Sequence, residues 1–266
     1  MPDYVERSNF IELAGPFQQW PELQCPRCRR SVLEADVQSF ENVRSIEARL
    51  GDEVWDGWTE GYFHGTLSCA RTPCGNKYVV VGDWRKRSRS LPDQDDFLDD
   101  PHLAGFSVRH ILPPLPVVPF PNRTPEDLRS LVQSASSVLL SDTSAAANRM
   151  RSAVECLLDA KKVRRLPPGK RGAKYRLNTD RRIREFASEN NKVAELLMAI
   201  KWIGNAGSHE SRPLSLSVVL DGIELFAHAI HLLYDDTGAA LHRRAARINR
   251  RRGPDHRSTA PRGPAT

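Results

Sequence analysis

The second half of the chain carries apolar residues at intervals of three and four, which is the period of amphipathic α-helices. Capping residues and breaks divide this pattern into five predicted helices with short connections, and helices joined in this way pack as a bundle. The five are expected at about 124–140, 142–162, 179–189, 191–204 and 215–234. The fourth is expected to end or kink at Gly204, because glycine is unfavourable inside a helix.

Three of these helices have clear starting signals. Thr124 stands before a proline, which fits the first helical position because no backbone N–H is needed there. Asp142 or Thr143 can cap the second helix and Ser215 the fifth, since their side-chain oxygens accept hydrogen bonds from the first turn. These caps make the helical prediction more specific than the apolar spacing alone.

The first third of the chain is instead rich in aromatic and β-branched residues. Residues 61–67 and 78–81 have a strand-like composition, 31–48 is mixed, and the tryptophans with Phe63 can supply a small core. An acidic run and then a proline-rich stretch follow, which favours an extended linker over a helix. The predicted fold class is therefore α+β, with a small β-rich unit before the bundle.

The predicted domain boundaries follow these changes of composition. The chain divides into a β-rich unit at 1–87, a linker at 88–122, the helical bundle at 123–236 and an arginine-rich tail at 237–266. The tail is expected to be disordered, with a frayed basic helix at about 239–251. Residues 241–266 contain eight arginines and one aspartate, so they hold more than the whole net charge of +6. The folded body is therefore expected to be near neutral.

Four of the five cysteines form two close pairs, Cys25 with Cys28 and Cys69 with Cys74. Two such pairs are the usual ligands of a tetrahedral Cys₄ zinc site, and with four thiolates the zinc is expected to be structural. The four-residue gap in the second pair is wider than usual, and four unrelated buried cysteines are the alternative. Cys156 stands alone and is expected to be a small buried hydrophobe.

Four segments of the chain form a distinctive set. They are CPRC at 25–28, CGNKYVVVG at 74–82, NRMRSAVECLLDA at 148–160 and MAIKWIGNAGSH at 198–209. Together they resemble the bacterial domain-of-unknown-function family numbered 4145, over about 25–234. The resemblance implies a HEPN-like (higher eukaryotes and prokaryotes nucleotide-binding) helical bundle, often dimeric, of the kind found in toxin–antitoxin and phage-defence systems. In the RNase members of that group, the resemblance implies, an arginine and a histidine separated by four to six residues on one helix cut RNA without metal.

The candidate catalytic residues are Lys201, Asn205 and His209, which depart from that nuclease pattern. A lysine replaces the arginine, and seven residues separate Lys201 from His209. The three would share a helix face only if the helix continued through its glycines. The histidine could then take the 2′-hydroxyl proton of RNA while the lysine held the phosphate. The alternative is that Gly204 and Asn205 end the helix and His209 only bonds to a neighbouring helix.

Three residues of the second helix are candidates to support that motif. They are Arg149, Arg151 and Glu155, because the family resemblance includes an arginine and a glutamate there. Arg151 and Glu155 also fit an ordinary ion pair at i, i+4, so a structural polar network explains them equally well.

Three histidines are further candidates for metal ligands. His64 could compete as a metal ligand, and His228 and His231 lie together on the predicted fifth helix. We expect all three to be exposed to solvent, because His64 falls in a strand-like segment and the other two lie opposite the apolar stripe of their helix.

Two basic segments are candidates for nucleic-acid contact, the loop at 163–177 and the tail. The proposed contact residues are Arg164, Arg165, Lys170, Arg171, Arg243, Arg244, Arg247, Arg250 and Arg251. Basic residues of this kind can track a phosphate backbone, although many charge runs are only solvated. Neither segment carries aromatic residues for base stacking beyond Tyr175.

These observations predict a cytoplasmic zinc-ribbon and HEPN-like protein in a regulatory or defence-related system. It is expected to bind RNA or DNA, or a protein partner, as a homodimer and without a membrane span, because no apolar stretch is long enough to cross a bilayer. A non-catalytic role is favoured. Two alternatives stay open: a metal-independent endoribonuclease that uses His209 and Lys201, and a protein–protein adaptor with no nucleic-acid role.

Overall fold

The computed structural model describes residues 4–44, 58–87, 104–167, 176–209 and 213–251. These residues form an antiparallel sheet followed by helices, so the α+β prediction is confirmed. The strands are β1 (Leu23–Gln24), β2 (Val32–Ala35), β3 (Glu41–Arg44), β4 (Trp58–Cys69), β5 (Lys77–Arg87) and β6 (Ala104–Leu112). The helices are α1 (Arg7–Ala14), α2 (Glu126–Val138), α3 (Thr143–Ala160), α4 (Thr179–Ala187), α5 (Asn191–His209), α6 (Leu216–Tyr234) and α7 (Thr237–Arg251).

The six strands form one sheet in the order β1-β2-β4-β5-β6, with β3 also paired to β4. Side chains alternate between its two faces, and the inner face buries Phe63, Leu67 and Val80. Aromatic rings pack around Phe63 as predicted, with the Trp20 ring centroid 6.1 Å and the Phe106 centroid 5.2 Å from its own. These edge-on contacts build the part of the core that lies against the sheet.

Strand β6 corrects the predicted linker at 88–122. Residues 104–112 pair with β5 from Val79 to Lys86, which is nearly its whole length, and their side chains Val108 and Ile111 are buried. The proline-rich stretch that follows is extended and packs against the bundle, where Ser136 donates a 2.5 Å hydrogen bond to the Leu115 carbonyl. The acidic run at 93–100 lies outside the described residues.

Helix α1, which the sequence pattern did not predict, joins the sheet to the bundle. It buries Phe10 and Leu13 against the shared core. At the first residue of α1 the Arg7 guanidinium contacts α6, with Nη1 2.5 Å from Asp221 Oδ1 and 3.2 Å from Glu224 Oε2. The two halves of the molecule therefore share one continuous apolar core.

In the bundle, α3 packs against α2, α5 and α6. Two of the predicted caps are confirmed: Asp142 accepts a 2.7 Å hydrogen bond from the Ala145 N–H, and Ser215 caps α6. The prediction that Thr124 caps the first bundle helix is wrong by one residue, because Pro125 occupies the cap position and the Thr124 hydroxyl makes no hydrogen bond within the described structure.

Helix α5 corrects the predicted break at Gly204, since it continues to His209. Its glycines let α3 approach closely. A Cβ on Gly204 would lie 2.7 Å from Arg151 Cβ, and one on Gly207 would lie 3.1 Å from the Ser144 carbonyl oxygen. Close packing between the helices therefore offsets the low helix propensity of glycine.

The last two helices differ in their surroundings. The expectation that no stretch could cross a bilayer is corrected by α6, which alone among the described residues is long and apolar enough by length and composition. It buries Val219, Ile223 and Phe226 in the core of the bundle. That burial is typical of a core helix. Helix α7 confirms the predicted basic helix at about 239–251, and residues 252–266 lie outside the described part of the chain.

Candidate functional site

The first cysteine pair lies in the turn between β1 and β2. The Cys25 N–H donates a 2.8 Å hydrogen bond to the Ser31 carbonyl, and the Arg29 N–H donates one of 2.9 Å to the Cys25 carbonyl. Arg29 takes a left-handed conformation with φ of 54°, which closes the turn tightly. This turn brings the sulfur of Cys28 back toward that of Cys25.

The second pair begins where β4 ends. Cys69 closes the strand with a 2.8 Å hydrogen bond from its N–H to the Asn76 carbonyl, and the Cys74 N–H reaches the Arg71 carbonyl at 2.9 Å. Gly75 has φ of +59°, a conformation that glycine adopts without strain. The wider gap between these cysteines is therefore accommodated by a compact turn.

The two turns bring all four sulfurs together, within 4.8 Å of one another. The Sγ of Cys25 lies 3.9 Å from that of Cys74, and the Sγ of Cys28 lies 3.6 Å from that of Cys69. Four sulfurs placed tetrahedrally about 2.3 Å from one zinc ion would stand about 3.8 Å apart. The distances are much longer than the roughly 2 Å of a disulfide. The cluster is compatible with a metal site.

Backbone donors and burial act on the thiols of this cluster in opposite directions. A hydrogen bond from the Arg30 backbone lowers the pKa of Cys28 to about 7. Burial raises the pKa of Cys69 to about 12, although a backbone donor at Arg71 opposes that shift. Burying several thiolates together needs a compensating positive charge, which a bound cation supplies. His64 takes no part in the cluster, because its exposed ring lies 3.2 Å from the Glu41 carboxylate.

Lys201 is engaged in an ion pair at the contact of α4 with α5. Its side chain is buried, and Nζ lies 3.1 Å from Asp180 Oδ1 and 3.5 Å from the centroid of the Trp202 ring. Asp180 also accepts a 2.8 Å hydrogen bond from Arg184 Nε, and the two cations, Arg184 first, lower the pKa of the carboxyl group. Asn205 is partly buried one turn further along, and the side chain of His209 lies outside the described structure.

The proposed supporting residues on α3 separate into two faces. Arg151 lies against Gly204 and pairs with Glu155 at 3.8 Å, as the sequence spacing predicted. Glu155 also accepts a 2.7 Å hydrogen bond from Thr179, at the start of α4. Arg149 is two residues from Arg151 and projects about 200° around the helix from it. The structure therefore brings Arg151 to the α5 motif, whereas Glu155 contacts Thr179 of α4. Arg149 lies on another face of α3, and its buried Nη1 makes no hydrogen bond within the described residues.

The two histidines of α6 and the fifth cysteine are exposed or only half-buried. His228 and His231 face solvent on α6 as predicted, and His231 lies 3.1 Å from Asp235. Cys156 is half-buried on α3, which corrects the expectation of a fully buried thiol.

The basic loop holds arginines that already have acidic partners. Arg164 Nε lies 3.4 Å from Glu185, and Arg165 donates from Nε to Asp159 at 2.7 Å. Asp159 also accepts a 2.6 Å hydrogen bond from the buried Arg182. These acids come from α3 and α4, so the loop sequence alone does not reveal them. Lys170 and Arg171 lie outside the described residues.

Helix α7 presents its arginines differently. All five of them are exposed, and at 100° per residue they fall within an arc of about 120°. They are Arg243, Arg244, Arg247, Arg250 and Arg251. Within the described structure no acidic group pairs with the first four, and the helix itself contains no aspartate or glutamate. Leu241 and Ile248 are exposed beside this arginine face.

The outer face of the sheet is a surface that the sequence pattern did not indicate. It exposes Tyr62, Val79, Val81 and Leu112, and Val79 stands directly opposite Leu112 on the neighbouring strand. The strand alternation identifies which residues share a face, but the two faces of a half-polar strand cannot be told apart without the rest of the fold.

Fold and site together define a two-part protein, in which a sheet with a four-cysteine cluster precedes a helical bundle. Residues 133–251, which form most of the helical part, match the model of a family described as a domain of unknown function, DUF4145. Residues 16–106 match a second model, also described as a domain of unknown function, DUF8608. The resemblance is thus confirmed for the helices, and the sheet matches a separate family. No curated protein and no solved structure matches the chain.

Proposed function

We propose that this protein binds nucleic acid through α7, with the sheet and the bundle as the scaffold that carries this helix. The supporting observation is the exposed arginine face of α7, whose charges have no acidic partners over most of its length. Arginines free of acids gain the full benefit of displacing counterions from phosphates, whereas Arg164 and Arg165 would first have to leave Glu185 and Asp159. This contrast favours α7 over the loop.

We also propose that the cysteine cluster holds one structural zinc ion. Thiolates suit this soft cation, the sulfur separations fit tetrahedral geometry, and four ligands leave no open coordination position. The ion would stabilise the small sheet, because metal binding to a site that forms only on folding adds to the folding free energy.

Binding of the full chain to labelled nucleic acid tests the role of α7. Replacing Arg243, Arg247 and Arg250 by glutamine should weaken binding and flatten its salt dependence, by about 0.9 in logarithmic slope for each duplex phosphate that the protein no longer neutralises. The matched control is Arg164→Gln with Arg165→Gln, which should change both quantities much less. Failure of the wild-type chain to bind any nucleic acid at moderate salt would remove this proposal.

An endoribonuclease is a second candidate, favoured by the continuity of α5. An unbroken helix places Lys201, Asn205 and residue 209 at i, i+4 and i+8, which is one face. The ion pair of Lys201 with Asp180 weighs against it, because that ammonium group already has an anionic partner. RNA cleavage in the presence of EDTA that disappears in His209→Ala would support a nuclease, and the absence of cleavage would exclude it.

A homodimer is the partner arrangement that we propose for the outer sheet face. Its exposed Tyr62, Val79 and Leu112 offer apolar area, and the Asp83–Arg109 pair beside them, at 2.6 Å, leaves the face without a strong net charge. Sedimentation should therefore show a dimer that Leu112→Asp dissociates, while the exposed-site control Leu232→Asp on α6 leaves it intact. A monomeric wild-type chain would contradict this arrangement.

A further inference from the structure

We infer that the nucleic acid held by α7 is double-stranded DNA, with the helix lying in the major groove. The inference rests on the proposed function and narrows it to one class of ligand. Its basis is the shape of α7, the distribution of its arginines and the side chains that the helix lacks.

The shape of α7 fits the groove. Its 15 residues span about 22 Å, and an α-helix with its side chains is about 10–12 Å across. The major groove of B-form DNA is about 12 Å wide and admits such a helix. The major groove of an RNA duplex is too narrow and deep for side chains to read. A basic helix of these dimensions therefore favours DNA over duplex RNA.

The arginines of α7 form two rows along the helix. Arg243, Arg247 and Arg250 follow one another at i, i+4 and i+7, and Arg244 with Arg251 form a second row about 90° further round. A helix in a groove has a phosphate backbone on each side, so two rows of cations can reach both strands. Each guanidinium can also bind a phosphate or the edge of a guanine with two hydrogen bonds.

The apolar residues beside the arginine face also fit a duplex. Leu241 and Ile248 are 59% and 38% exposed and lie seven residues apart on one side of the helix. In the major groove such side chains can contact the methyl groups of thymine. On a phosphate backbone alone they would have nothing apolar to bind.

The side chains absent from α7 argue against a single strand. Proteins that hold single-stranded nucleic acid stack its bases on aromatic rings, and the sequence of α7 contains no phenylalanine, tyrosine or tryptophan. A basic helix with an apolar side can also lie on an anionic membrane. In α7 the apolar side is narrow, with two large side chains against five arginines, which favours the groove over the lipid surface.

The experiment compares four ligands with the full-length, metal-loaded protein. The ligands are a DNA duplex of about two helical turns, an RNA duplex and a DNA single strand of equal length, and vesicles of phosphatidylserine and phosphatidylcholine. We expect the DNA duplex to bind about tenfold or more tightly than the others, with a logarithmic salt slope approaching about −3.6 for four phosphate contacts. Bound protein should protect guanine N7, in the major groove, from methylation by dimethyl sulfate.

A helix-breaking variant tests whether duplex binding requires an intact α7. Ala246→Pro keeps every charge but interrupts α7, and should lower duplex affinity about tenfold or more, whereas Ala246→Ser should change it little. The melting temperature of both variants should match the wild type, because α7 contributes little to the core. Equal affinity for single strands or duplex RNA, or unprotected N7, would overturn the inference and leave nucleic-acid binding by α7 standing. Binding to vesicles alone would overturn both.

Discussion

Lys201 of α5 and Asp180 of α4 form an ion pair in which the lysine side chain is only 10% exposed and Nζ lies 3.1 Å from Oδ1. Arg184 reaches the same carboxylate from the next turn of α4. Asp180 therefore neutralises one buried and one exposed cation, and joins α4 to α5, the helix that contains the segment 198–209. A structural role for Lys201 follows from this geometry, whether or not the face is also catalytic.

Removing the Asp180 carboxylate should lower the free energy of unfolding more than removing the Lys201 ammonium group. Asp180→Asn leaves the buried Lys201 ammonium without an anion, and we expect it to lower the free energy of unfolding by about 1–3 kcal/mol. Lys201→Met puts an apolar chain of similar length in the same space while Asp180 keeps Arg184, so its effect should be smaller. Urea denaturation measures both variants. Glu126→Gln is the control, because that carboxylate is 85% exposed and its nearest cation, Arg129, is as far away as 4.0 Å. A larger loss of unfolding free energy in Lys201→Met than in Asp180→Asn would contradict this prediction.

Acid should weaken the bundle through the same carboxylates. Arg184 and then Lys201 lower the pKa of Asp180, and Arg165 and then Arg182 lower that of Asp159. A carboxyl group with a lowered pKa in the folded state stabilises the fold above its unfolded pKa of about 3.9, and this stability is lost as the pH falls through the lower folded value. The urea midpoint should therefore fall steeply below about pH 4.

The double variant Asp159→Asn with Asp180→Asn isolates this contribution. Its midpoint at neutral pH should be lower than that of the wild type, and its further fall in acid should be shallower. Metal release also occurs in acid, so both proteins are compared with the same metal content. Parallel acid profiles for the two proteins would contradict the assignment.

Adding a methyl group to Gly204 should loosen the contact of α3 with α5. The new Cβ would meet Arg151 Cβ at 2.7 Å and the Ala147 carbonyl at 3.1 Å, so a helix has to move. We expect Gly204→Ala to lower the free energy of unfolding by about 1–3 kcal/mol, despite the gain of about 1 kcal/mol in helix propensity. Gly222→Ala is the matched control, because its Cβ meets only the flexible end of Ile203 at 3.3 Å. A stabilised Gly204→Ala variant would show that the helices have room to separate.

The helical part of the fold could be predicted because its signals are local. The side chains of Asp142 and Ser215 accept hydrogen bonds from the first turns of the helices that they cap. The apolar spacing selects the buried face of each helix. The predicted break at Gly204 is wrong because the role of this glycine depends on α3, more than 40 residues away in sequence. Its low propensity is a local property, whereas the close approach of Arg151 is a tertiary one.

The sheet and its attachments were harder to predict. The cysteine spacing indicated the cluster, since four sulfurs in two pairs have few other structural explanations. Helix α1 carries no strong apolar stripe and is held by distant partners, through Phe10 in the core and Arg7 on α6. Strand β6 runs directly into prolines and depends on β5 for its pairing. The acidic partners of Arg165 and Arg182 likewise come from the packing of helices.

Replacing single cysteines separates the metal site from the fifth thiol. Cys28→Ser and Cys74→Ser each remove one of four clustered sulfurs, and both should reduce the zinc content from about one ion per chain toward zero, as measured by inductively coupled plasma mass spectrometry. They should also expose amides of β1 and β2 to hydrogen exchange, because the ion holds the turns at the ends of these strands. Cys156→Ser is the matched control, since that half-buried thiol lies on α3 outside the cluster and should leave the zinc content unchanged. A wild-type chain purified without bound metal, with its sheet equally protected from exchange, would show that the four cysteines pack without an ion.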